Sequence, residues 1–184
     1  MSSAYIIIPG LHNSDSLHWQ SRWESEFKDF YRVKQRNWSR PVRSEWVDQL
    51  QKTVSKHSNK DIYLIAHSLG CLTVVHWAQL YKKNIKGALL VAPPNVRSPL
   101  LAGTISGFDP LPLQRLPFES VLVASSNDIF CSIEKAYNYA NAWGSRLVNL
   151  GNRGHVNSSS ELGLWPEGLE LLDAFVYKNQ LIVI

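Results

Sequence analysis

Two cysteines in 184 residues are too few for a disulfide framework, and Cys71 and Cys131 do not form a CxxC pair. Both are therefore expected as reduced thiols, which favours a cytoplasmic setting. None of the histidines stands at HxxxH or HExxH spacing, so no metal is expected. Neither a GxGxxG nor a GxxxxGK loop occurs, so no nucleotide or other cofactor is implied. No apolar run is long enough to span a bilayer. Met1-Ser2-Ser3-Ala4 has neither a charged leader nor a long apolar stretch, so no signal peptide is expected. The formal charge is only +4, from 19 Lys and Arg against 15 Asp and Glu. These charges are scattered, with no basic block, so nucleic acid is not an expected partner. No short motif names a protein partner.

The chain does contain alternating strand-like and helix-like segments in an ordinary apolar fraction of 45%. Strands are predicted at 5–8, 31–36, 62–66, 87–92, 120–125 and 146–150. Helices are predicted at 19–30, 42–57, 69–81, 132–143 and 165–178. On the 132–143 helix, Ile133, Ala136, Tyr137 and Ala140 are expected to face inward. The stretch 95–117, rich in Pro, Gly and Ser, is expected to be a loop or short helix. Such alternation implies a mainly parallel sheet of about six strands with helices on both faces, one domain over 1–184. Ligands of such sheets bind beyond the carboxyl ends of the strands.

Ile62-Tyr63-Leu64-Ile65 runs into Ala66-His67-Ser68-Leu69-Gly70, a small-x-Ser-x-small turn between a strand and a helix. A serine there can sit on a sharp elbow with its hydroxyl above the sheet; it can also simply cap the helix. Asp128 follows the fifth strand and His155 the sixth. Ser68, Asp128 and His155 thus fall at strand ends in the chain order Ser, Asp, His, which suits a nucleophile, an orienting acid and a general base. Asp128 could otherwise cap the helix near Ser132, and His155 could be a surface histidine. His12 also follows a strand end and is a rival base, though a pocket-lining role suits it better. The backbone N–H groups of Leu69 and Leu11 are the candidate oxyanion donors. Trp38, Phe130 and Trp165, with Leu11 and Pro93, are candidates for an aromatic-lined pocket, with local packing as the alternative.

These residues resemble a known group. Ile8-Pro9-Gly10 with Trp19, the Ala66–Gly70 elbow, Ser126-Asn127-Asp128 with Cys131-Ser132, Gly154-His155-Val156-Asn157 and Gly163-Leu164-Trp165-Pro166-Glu167-Gly168 are similar to the small serine hydrolases typified by retinoblastoma-binding protein nine. The resemblance covers nearly the whole chain. It implies a three-layer α/β-hydrolase core without a large lid, and a triad of Ser68, Asp128 and His155. Phe130 stands where relatives often have Tyr. The expectation is a cofactor-independent hydrolase of a small carboxylic ester or related acyl compound. The alternatives are a peptidase or amidase with the same triad, or a protein-binding module on a hydrolase scaffold.

Overall fold

Unbroken runs of Ile, Leu, Val and Ala make strands that are buried on both faces, as a parallel sheet covered by helices requires. The computed structural model describes residues 2–81, 83 and 85–180. Met1, Lys82, Asn84 and 181–184, which the one-domain expectation includes, lie outside the described residues. In chain order the elements are β1 (Ser3–Ile8), α1 (Trp19–Glu26), β2 (Phe30–Arg32), α2 (Arg43–Lys56), β3 (Asp61–His67), α3 (Leu69–Leu80), β4 (Gly87–Val91), β5 (Ser120–Ala124), α4 (Ile133–Trp143), β6 (Arg146–Asn149) and α5 (Pro166–Gln180). Short 3-10 turns occupy Pro99–Leu101 and Ser158–Ser160. The strands form one sheet in the order β2-β1-β3-β4-β5-β6, and every pairing is parallel. Parallel neighbours need long crossovers, which the helices and the 92–119 connection supply.

Side chains alternate across the sheet, so each strand feeds two cores. Leu64, Ala66, Leu90 and Leu122 pack with Val47 and Leu50 of α2, Leu72 and Val75 of α3, and Ala136 and Ala140 of α4. Tyr63, Ile65, Leu89, Val91 and Val123 meet Trp19 and Trp23 of α1 and Leu172 and Val176 of α5 on the other face. The result is three layers, with α2, α3 and α4 opposite α1 and α5. Within 95–117, Leu101, Phe108 and Leu116 are buried, and Phe108 packs edge-on to Trp46 of α2.

Two expectations need correction. The sequence pattern predicts a helix through Phe30 and a strand over 31–36, but α1 ends at Glu26 and β2 covers Phe30–Arg32. Phe27 is already extended, at φ −113° and ψ 134°. Its ring meets Phe30 at 5.4 Å, and Phe30 stacks on Tyr5 at 4.7 Å. That aromatic stack sits on the pairing of Tyr5 with Phe30 and pulls the strand start forward. On α4, Tyr139 rather than Tyr137 faces inward. Tyr137 is 56% exposed, while Tyr139 is buried and stacks on Trp143 at 4.8 Å. The extra apolar anchor Trp143 rotates the buried face by one position.

The sheet brings the site loops to one edge. Ile8 pairs with Ala66, His67 with Val91, Val91 with Val123 and Ala124 with Asn149. The carboxyl ends of β1, β3, β5 and β6 are therefore level, and the loops after them open together. The helix face on α4 gives a direct check. Tyr139→Ala should cost about 3 kcal/mol in urea unfolding, as expected for losing a buried aromatic. Tyr137→Ala should stay within about 0.5 kcal/mol.

Candidate active site

The β3–α3 junction is sharp because two backbones meet there without side chains between them. Ser68 has φ 53° and ψ −124°, a strained conformation for a residue with a Cβ. Its N–H donates to the Val91 carbonyl at 2.9 Å, and its carbonyl accepts from Cys71 N–H at 2.9 Å. A Cβ at Gly70 would lie 2.2 Å from the Ile8 carbonyl oxygen. A Cβ at Gly10 would lie 2.7 Å from the Ser68 Cβ and 3.2 Å from its Oγ. Only glycine allows the loop after β1 to press against the elbow this closely. Neither the Leu11 nor the Leu69 N–H donates to a backbone or side-chain acceptor among the described residues. Leu69 opens α3, where the helix N-terminus favours negative charge.

The loops after β5 and β6 bring two further side chains to Ser68. Ser68 Oγ lies 2.8 Å from His155 Nε2. His155 Nδ1 lies 2.8 Å from Asp128 Oδ2, and the Asp128 side chain is only 2% exposed. A buried carboxylate accepts hydrogen bonds, so His155 donates from Nδ1 and its Nε2 is free to accept the Ser68 proton. Asp128 Oδ1 accepts from Phe130 N–H at 2.9 Å, which fixes the carboxylate plane. The Phe130 ring lies 4.5 Å from the His155 ring and covers it.

A second set of bonds locks the two loops together. Asn127 Oδ1 accepts from Ser125 Oγ at 2.9 Å and from Gly154 N–H at 2.7 Å. Ser125 Oγ also accepts from Arg153 N–H, and its one proton is shared between Asn127 Oδ1 and the Gly151 carbonyl. From the other face, Trp19 Nε1 donates to the Val156 carbonyl at 2.9 Å. Ser158 Oγ donates to Asp15, whose carboxylate also holds the N–H groups of Leu17 and His18. Gln20 is fully buried and donates to the carbonyls of Ile65 and Ile8, tying β3 to β1 just below the site.

Two more histidines lie behind His155. His67 points away from the Ser68 hydroxyl, and its Nε2 donates to the His155 carbonyl at 2.9 Å. His18 meets the His67 ring edge-on at 4.6 Å. Its Nδ1 accepts from Gln20 N–H, so the neutral ring carries its proton on Nε2, which has no hydrogen-bond partner among the described residues. Burial, reinforced by the charges of Arg32 and His155 against the opposing pull of Asp15, holds His18 down at about 4. Burial, with His18 and His155 adding to it, also holds His67 well below the ordinary imidazole range. Burial pushes the Cys71 thiol up, and burial together with Asp128 raises Cys131 to about 12, so neither thiol rivals the serine as a nucleophile.

The candidate pocket residues divide. Phe130 touches the His155 ring. Trp165 is 1% exposed and stacks on Trp23 in the α1–α5 core, so the pocket expectation for it is corrected to core packing. Gly168 packs so closely on the Trp165 ring that an added Cβ would overlap it. The Trp38 ring lies edge-on to Trp46 at 5.6 Å, and its carbonyl accepts the His12 N–H. His12 is exposed, with no contact to Ser68 or His155 among those described. Sequence reasoning missed Gln20, Asn127 and the role of His67. Gln20 had one signal: it is a polar residue between two core tryptophans. Among the described residues no group of three His, Cys, Asp or Glu could hold a metal ion. No helix among them is long and apolar enough to cross a membrane.

Comparison with known proteins agrees with this fold. A family model described as serine hydrolase matches residues 5–174. A YdeN-like hydrolase from Pectobacterium atrosepticum is 32% identical over 97% of this chain and 92% of that one, with a TM-score of 0.87. The ydeN gene product of B. subtilis is 20% identical over 96% of this chain and 100% of that one, with a TM-score of 0.77. Est1E from Butyrivibrio proteoclasticus, solved with ferulic acid bound, shares the fold at 15% identity, 96% and 90% coverage and a TM-score of 0.72. No curated protein matches the chain.

The buried histidines predict acid sensitivity. Both are neutral in the fold, while the unfolded chain protonates them near their ordinary pKa of about 6.5. Their contribution is complete above that pH and shrinks as pH falls from about 6.5 toward the depressed folded values. For His18 the loss by pH 4 is roughly 3 kcal/mol, from its shift to about 4. Urea unfolding across this range should show falling stability, with a shallower slope in His18→Asn, which keeps a cap acceptor.

Proposed function

The chain belongs to the serine hydrolase family, and on that premise we propose that it cleaves a small carboxylic ester through a triad of Ser68, His155 and Asp128. One observation carries the reading: an unbroken hydrogen-bonded path runs from the Ser68 hydroxyl through both ring nitrogens of His155 to the buried Asp128 carboxylate, at 2.8 Å per step.

A neutral serine is a weak nucleophile, so its proton must leave as it attacks. His155 Nε2 takes that proton while Ser68 Oγ bonds to the substrate carbonyl carbon. The imidazolium so formed is stabilised by Asp128, which also fixes the tautomer. The carbonyl oxygen becomes an oxyanion, for which the N–H groups of Leu69 and Leu11 are the donors. As the tetrahedral intermediate collapses, the bond to the leaving oxygen breaks and His155 returns the proton to it. The alcohol departs and an acyl-enzyme remains on Ser68. Water attacks next, its proton passing to His155, and the acid is released as Ser68 regains its hydrogen. No cofactor enters any step.

The buried surroundings suit this cycle. Depressed pKa values keep His67 and His18 neutral, so they do not oppose the charge that forms on His155. The bond from His67 to the His155 carbonyl fixes the backbone of the base against the residue that precedes the nucleophile. We read 1–184 as one such domain acting on a small-molecule acyl substrate.

A fluorophosphonate probe should label the wild-type protein and fail to label Ser68→Ala. Equal labelling of the two would remove Ser68 as the nucleophile. Asp128→Asn should lower kcat by up to ~10⁴-fold on a short-chain ester while leaving the fold intact, because the wrong His155 tautomer is then favoured. An undiminished kcat would remove Asp128 from the triad.

A further inference from the structure

The histidine that returns the proton to the leaving group borders an open groove of about 510 Å³. Its walls include Asn127, Phe130, Arg153, His155, Asn157 and Ser159. Ser68 is not among its lining residues, so the groove lies on the histidine side of the centre. Nε2 faces Ser68, so an alcohol oxygen protonated there lies between the two residues, and the rest of the alcohol can extend past His155 into this groove.

The charge of the groove is one-sided. Asn127 Oδ1 is taken by Ser125 and Gly154. Asn157 Oδ1 is taken by Ser159 N–H at 3.1 Å. Ser160 Oγ already donates to Arg153 O and accepts from Asn157 N–H. What the two asparagines still offer are their side-chain N–H groups, which are donors. Arg153 is exposed, and its guanidinium takes part in no ion pair or side-chain hydrogen bond among the described residues. No carboxylate lines the groove; Asp128 is turned to His155. The groove therefore presents amide donors and the Arg153 cation, with no carboxylate among its described residues to oppose them, beside the neutral side chains of Asn152 and Ser159.

The geometry points to a substrate whose alcohol portion carries an anionic oxygen group, a carboxylate or a phosphate, bound by Arg153 with the Asn127 and Asn157 amides beside it. This inference rests on the proposed triad, because that triad decides which side is the leaving-group side. An arginine fork pairs with either anion in the same bidentate way. The hydrolytic step is unchanged: the ester C–O bond breaks, His155 protonates the anionic alcohol, and water later releases the acid.

Three acetyl esters test it on the full-length chain: 4-acetoxybenzoate, 4-acetoxyphenyl phosphate and the neutral 4-acetoxybenzamide. The ratio of kcat/KM on the better anionic ester to that on the benzamide should fall about tenfold in Arg153→Gln. The wild-type ratio should also shrink in about 1 M salt, where the Debye length is roughly 3 Å. Preference for the benzoate assigns a carboxylate, and preference for the phosphate assigns a phosphoryl group. A ratio unchanged within about twofold in Arg153→Gln overturns the inference. If none of the esters is turned over while the fluorophosphonate still labels Ser68, this inference fails and the hydrolase reading stands. Loss of labelling in the wild type would take down both.

Discussion

The Ile8 carbonyl occupies the space that a side chain at position 70 would need. That one steric contact sets the rest of the site. It lets α3 begin directly beneath the end of β1, and it holds Ser68 at a positive φ that the chain would otherwise avoid. It also carries the Pro9–Leu11 turn across the elbow, where Gly10 passes within van der Waals reach of the serine hydroxyl. A nucleophile and a candidate pair of oxyanion donors thus come from two strands whose register, Ile8 opposite Ala66, leaves no slack. The strain at Ser68 persists because α3 is buried along most of its length and cannot move aside.

The base is held by a different logic. A loop after an edge strand is mobile by default, and β6 is the edge strand that carries His155. The compensation is a set of short bonds from three directions. Ser125 and Asn127 clip the histidine loop to the loop after β5. Trp19 holds Val156 from the α1 side. His67 reaches the His155 carbonyl from the elbow itself. A buried neutral imidazole is costly to protonate, so this last contact ties the site's geometry to a protonation state.

Periodicity along the chain made the fold legible, because a two-face parallel sheet leaves continuous apolar runs and the crossover helices leave 3.6-residue stripes. The six strands and five helices follow from those signals. Boundaries failed where tertiary contacts overrode local preference: nothing near Phe27 announces that Phe30 will stack on Tyr5, over twenty positions away. Tyr137 and Tyr139 failed for a related reason, since either completes a helical stripe with Ala136 and Ala140 until Trp143 chooses between them. At the site, Ser68, Asp128 and His155 were legible because chemistry restricts residue type at strand ends. Trp165 was not, because a tryptophan in a loop reads the same whether it lines a pocket or fills a core. Gln20 and His67 were hidden, since their partners are backbone carbonyls, which carry no sequence signal at all.

Recognition and chemistry are not separable in this arrangement. Asn127 holds Gly154, and so the loop of the base, with its amide oxygen. The same side chain lines the groove beside His155 with the donors it has left. Arg153 gives its backbone N–H to the Ser125 clip while its guanidinium is left to the groove. These residues, which fasten the His155 loop, therefore also line the groove beside it. The Asn127 amide is thus held by the same bond that fastens the His155 loop. An exposed arginine beside amide donors favours ligands that bring acceptors to it. Under the proposed mechanism, leaving-group selectivity would rest with these groove residues, while the side chains of Ile129 and Ser159 carry none of the loop's internal bonds.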